Sequence, residues 1–96
     1  MSFTIFWTTE ARQSYQGILE YLQEKWTERE IKNFIQRTDD VLAFIKENPS
    51  IYQHIKPHTF KAVLSRQVTL YYKLEESRVV LEYFWDTRQD PEKLNL

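Results

Sequence analysis

Five side chains in this 96-residue sequence, His54, His58, Lys61, Arg66 and Arg88, supply the ingredients for cutting RNA without a metal ion. Attack by an RNA 2′-hydroxyl on its own phosphate needs a base for that hydroxyl and an acid for the departing 5′-oxygen. It also needs cations around the crowded phosphorane. His54 or His58 can do acid–base work near neutral pH. Lys61, Arg66 and Arg88 can supply the cations, with Arg best suited to bidentate phosphate contact. Tyr71 or Tyr72 can stack a base. The plainer account of the same residues is a set of surface-loop histidines and a solvated strand face.

Other chemistries find less support. His54 and His58 stand four apart, a ligand spacing on a helix, but Pro49 and Pro57 bracket them and no carboxylate lies nearby to complete a metal site. There is no cysteine, which removes disulfides, thiolate zinc sites and thiol nucleophiles. Gly17 is the only glycine, so no phosphate-cradling loop and no glycine turn exposing a hydrolase serine can form. Asp39-Asp40 falls on the expected solvent face of a helix. No cofactor is expected.

Charge and composition set the frame for these candidates. Ninety-six residues suit one domain, 1–96, and 42% hydrophobic with 16% aromatic content supplies a core. Net charge is −1, which gives the whole molecule no electrostatic pull toward nucleic acid. Its distribution is uneven: residues 1–48 carry six Lys/Arg against eight Asp/Glu, and residues 49–96 seven against six. Between Glu47 and Glu75 there is no carboxylate, while Lys56, Lys61, Arg66 and Lys73 all fall there. The cysteine-free chain and a start lacking a signal-peptide pattern imply a cytoplasmic protein, and no apolar run reaches the roughly 18 residues of a membrane span.

The elements that must position these residues follow from periodicity. Phe3, Ile5 and Trp7 predict a short strand with one face fully buried. Thr8-Thr9 supply an N-cap, and Ala11, Tyr15, Ile18, Leu19, Leu22 and Trp26 form a helical stripe. Gly17 costs that helix up to about 1 kcal/mol relative to Ala, unless it permits a close backbone approach. Thr27-Glu28-Arg29-Glu30 is a capping box, and Trp26 with Ile31 has the spacing of a hydrophobic staple. The stripe Ile31, Phe34, Ile35, Thr38, Val41, Leu42 and Ile45 runs to a stop at Asn48-Pro49.

The remainder predicts three strands. These are Phe60–Leu64, a Val68–Leu74 strand with Tyr72 inward and Tyr71 outward, and a Val79–Trp85 strand with Leu81, Tyr83 and Trp85 sharing one face. Short connections at 65–67 and 75–77 demand antiparallel hairpins. The expected fold class is α+β, ordered β-α-α-β-β-β, with a helical hairpin packed on a mostly antiparallel sheet.

Spread along this pattern are segments that resemble the RelE/ParE toxin superfamily, and within it the ParE-like plasmid-stabilisation branch. Ile18-Leu19-Glu20-Tyr21-Leu22 resembles that family's first-helix stretch, and Asn48-Pro49-Ser50-Ile51-Tyr52 its break after the second helix. Leu70-Tyr71-Tyr72-Lys73-Leu74 is similar to its central strand. Phe84-Trp85-Asp86-Thr87-Arg88-Gln89-Asp90-Pro91 is similar to its ending. The resemblance implies a toxin of a type II toxin–antitoxin system, neutralised by a cognate antitoxin encoded beside it. The ribonuclease branch acts on messenger RNA in the ribosome and the ParE branch on DNA gyrase. Arg88 matches an arginine used by the ribonuclease branch, whereas Thr69 stands where that branch carries another arginine. The terminal His or Tyr of several nucleases is also absent. A degenerate, non-toxic antitoxin-binding module is a further alternative.

A partner of that kind would need anchors. Tyr71, Tyr21 and Phe44, along with Phe6, are the expected aromatic contacts for an antitoxin segment, or for a second copy in a homodimer.

Overall fold

The computed structural model describes residues 2–87. Strand β1 (Thr4–Trp7) leads into helices α1 (Thr9–Lys25) and α2 (Glu28–Glu47). Four strands follow: β2 (Gln53–Lys56), β3 (Thr59–Val63), β4 (Val68–Glu75) and β5 (Arg78–Asp86). They form one sheet in the order β1-β5-β4-β3-β2, with β1 parallel to β5 and every other pair antiparallel. The α+β class and the helical hairpin on a mostly antiparallel sheet are as expected. The strand β2 is additional, so the order is β-α-α-β-β-β-β.

Local chemistry starts and stops the helices where the sequence implies. The Thr8 hydroxyl accepts from the Ala11 amide at 3.0 Å and caps α1. At α2 both halves of the capping box are formed: the Glu30 amide donates to Thr27 Oγ1 at 3.2 Å, and the Thr27 amide to Glu30 Oε1 at 3.1 Å. Trp26 and Ile31 both pack against the core, and the Trp26 ring meets Phe34 edge-on at 6.2 Å. Gly17 has helical backbone, and a Cβ built on it meets nothing within 4 Å. No close approach within the described chain explains it.

The core lies between the helices and one face of the sheet. Ala11, Ile18 and Leu22 of α1 and Phe34, Val41 and Ile45 of α2 meet Phe60, Ala62, Leu70, Tyr72, Val79, Leu81 and Phe84. Burial of this apolar surface is the main stabilising term, at about 25 cal/mol per Å² removed from water. Strand β1 departs from expectation. It sits at the sheet edge, and Ile5 and Trp7 are only half-buried because one flank has no neighbouring strand. Among the described residues no helix is long and apolar enough to cross a membrane.

The phase of β5 also departs from simple alternation. Tyr71 pairs with Tyr83, but Tyr72 pairs with Leu81, so Glu82 is an extra residue, a β-bulge. Up to Leu81 the inward residues are Val79 and Leu81. Beyond the bulge Phe84 turns inward at 1% exposure, and Tyr83 stands opposite Tyr71 on the other face. The expectation that Leu81, Tyr83 and Trp85 share a face therefore fails at Glu82.

Candidate functional site

The helices cover one face of the sheet and leave the other open. Registration places Lys61 of β3 beside Tyr71 of β4, and Tyr71 beside Tyr83 of β5. With strands about 4.8 Å apart, this cation–phenol–phenol row spans roughly 10 Å. All three residues are half-buried, their flanks supported by neighbours and their outer surfaces free. Next to the row, Lys73 Nζ lies 3.6 Å from a Glu82 carboxylate oxygen, a pair that the bulge makes possible by turning Glu82 to this face. Both partners are substantially exposed, so the pair orients side chains more than it stabilises the fold.

Arg66 is exposed in the turn between β3 and β4. The Ser65 hydroxyl accepts from the amides of Gln67 and Val68, each at 3.2 Å, and fixes that turn. The Thr87 amide donates to the Gln67 carbonyl at 2.7 Å, which pins the end of β5 to the same turn. Arg88 lies outside the described residues.

His58 is at the opposite end of β3. It occupies the β2–β3 turn in the left-handed region, with φ of 62°, and its carbonyl accepts from the Leu74 amide at 2.9 Å. At about 3.3 Å per strand residue, on the order of 20 Å separates it from the Arg66 turn. Lys61 lies between them. The fold thus gathers Lys61 with Tyr71, sets Arg66 beyond one end of that row, and places His58 beyond the other.

His54, expected in a loop, belongs to β2, and its ring leans on Phe60 with centroids 5.0 Å apart. An edge strand of four exposed, mostly polar residues next to Pro57 carries little strand signal, which is why the sequence hides it. Among the described residues no three His, Cys, Asp or Glu side chains gather as a metal site.

Two phenols have displaced ionisation, and both belong to the core rather than to the open face. Burial pushes Tyr72 strongly up from 10.0, and its hydroxyl donates to the Pro49 carbonyl at 2.7 Å. Burial also raises Tyr15, with the Asp39 charge adding to it and a hydrogen bond with Thr38 opposing it. Both phenols remain protonated at neutral pH. The choice the sequence left between Tyr71 and Tyr72 as a stacking platform is resolved spatially: Tyr72 is fully buried and Tyr71 faces outward.

The expected aromatic anchors are dispersed over the surface. Tyr21 lines a cleft of about 700 Å³ between α1 and the end of β5, together with Glu10, Gly17 and Tyr83. Phe44 projects from α2 toward Tyr52, with rings at 6.4 Å. Phe6 lies on the open face of β1, with the Arg78 guanidinium 4.9 Å from its ring centre. Sequence alternation missed Tyr83, because nothing in Val79–Trp85 announces the bulge that moves it.

No family model matches the sequence, and no curated protein matches it. Solved structures do. A chain of the chromosomal ParDE TA system from P. aeruginosa superimposes with a TM-score of 0.71 at 10% identity, over 88% of this chain and 96% of that one. A chain of the YoeB–YefM complex from Staphylococcus aureus gives 0.59 at 12% identity, over 88% and 97%. The YoeB/ParE toxin from Agrobacterium tumefaciens gives 0.59 at 13% identity, over 86% and 96%. The chain has the fold of the ParE and YoeB toxins, nearly end to end in both directions.

Proposed function

We propose that this chain is the toxin of a type II toxin–antitoxin pair, held inactive in the cytoplasm by a small antitoxin encoded beside it. The observation that carries the reading is the likeness to a ParDE chain, which spans almost the full length of both proteins and so leaves no room for a different catalytic insertion. Function does not follow from fold alone. The open face adds a site-level argument, because a row of one lysine and two tyrosines suits contact with a large partner.

Within this reading we favour a ParE-like inhibitor that acts by binding an essential target of the gyrase type. His58 and Arg66 sit at opposite ends of β3, too far apart to act on one phosphate. Thr69 occupies the open-face position where an arginine would serve a nuclease. A second reading, ribosome-dependent cleavage of mRNA, draws support from the Lys61–Tyr71–Tyr83 row, which could stack a base and hold a phosphate. The two separate in one comparison with purified protein. Loss of gyrase supercoiling with intact mRNA supports the binding mode, and mRNA cut on translating ribosomes supports the nuclease. Antitoxin binding without growth arrest would identify a degenerate binding module.

A further inference from the structure

The flank of α2 and the edge of β2 form a second surface, on the opposite side of the helical layer from the cleft at Tyr21. Val41 and Ile45 of α2 enter the core, while Phe44 between them is 47% exposed. Its ring meets Tyr52, and the adjacent Ile51 is 58% exposed, the highest value among the exposed large hydrophobics. Strand β2 begins one residue later. It closes the sheet on this side, all four of its residues are exposed, and no described strand pairs with its outer edge. An unpaired edge beside an apolar cluster offers main-chain hydrogen bonds and a seat for a side chain, the arrangement used for strand addition.

Charge selects the occupant. Arg37, Lys56 and Lys61 surround this surface, and residues 48–74 contain no carboxylate. The two carboxylates nearby on α2 are engaged, Asp40 by Gln36 at 2.9 Å and Glu47 by Ser2. A second copy of the chain docking edge to edge would bring the Lys56 side chains of both copies together, an unfavourable meeting of like charges.

We propose that an extended, acidic segment of the antitoxin adds along the β2 edge and seats an apolar side chain on Phe44, Ile51 and Tyr52. The proposal rests on the toxin–antitoxin reading and assigns that partner its surface. The open face, with Lys61, Tyr71 and Tyr83, is left for the target.

The test is calorimetric titration of the full chain with the full-length product of the adjacent reading frame. Wild type is compared with Phe44→Asp/Ile51→Asp, and with Tyr71→Ala as the open-face control. Loss of two central apolar anchors should weaken binding by about thirtyfold or more, while Tyr71→Ala binds as wild type does. In cells the double variant should still arrest growth but no longer be rescued by the partner. Ile51→Asp alone carries the same test should the double variant unfold. Unchanged affinity in a folded variant overturns the proposal and leaves the toxin reading standing, as does a wild type that arrests growth yet does not bind this product. Absence of arrest by wild type counts against the toxin reading itself.

Discussion

The Tyr72 hydroxyl donates to the Pro49 carbonyl at 2.7 Å, joining the middle of the sheet to the break that ends α2. The phenol is fully buried, so its ring packs against Phe60 while its single polar atom is satisfied. This contact holds residues 49–52 where they deliver Ile51 and Tyr52 beside Phe44. Tyr72→Phe should therefore cost about 1–3 kcal/mol by leaving a buried carbonyl unpaired. Urea denaturation monitored by circular dichroism would measure it.

The same phenol predicts an alkaline limit. Its ionisation is raised in the folded state, so below the unfolded value of 10.0 both states hold the proton and stability is insensitive to it. Above that value the unfolded chain releases the proton and the folded chain keeps it. Stability then falls with rising pH, by about 1.4 kcal/mol per unit for one such group. Tyr15 shifts in the same direction. Denaturation between pH 9 and 11 (a window of roughly that width, set by) should show the decline in wild type and a shallower one in Tyr72→Phe.

Gly17→Ala is expected to stabilise the chain. The position is helical and the added methyl meets no neighbour within 4 Å, so only the backbone entropy of glycine is removed. The gain should be about 0.5–1 kcal/mol, read as a rise of a few degrees in Tm.

Thr27→Ala removes the side-chain half of the capping box and should cost about 1 kcal/mol, because the Glu30 amide loses its partner. Thr27→Asp should recover most of it. Thermal denaturation of the two variants beside wild type checks both statements.

The legible parts of this chain were those with local causes. The capping box, the Asn48-Pro49 stop and the inward Tyr72 each follow from a few adjacent residues, and the α+β class follows from their order. What stayed hidden depends on neighbours distant in sequence. Gln53–Lys56 becomes a strand only because β3 folds back along it, and Tyr83 changes face only because Glu82 is extruded to meet Lys73. The candidate site suffered most, since His58 and Arg66 look close in sequence and end up at opposite ends of one strand.

That separation has a functional consequence. His58→Gly relieves a left-handed φ and removes the imidazole, so the folded chain should be equally or more stable. Growth arrest should persist in His58→Gly and weaken in a Lys61→Ala/Tyr71→Ala double variant. Viable counts after induction of each would decide. Arrest lost in His58→Gly would argue for imidazole chemistry instead.

The most direct measurement is growth of a bacterial host after tightly controlled induction of this chain, alone and together with the product of the adjacent reading frame. The account predicts arrest by the chain alone and restored growth with the partner. Unimpaired growth on induction of the folded chain alone, in a host whose gyrase and ribosomes are of the ordinary bacterial kind, would contradict it.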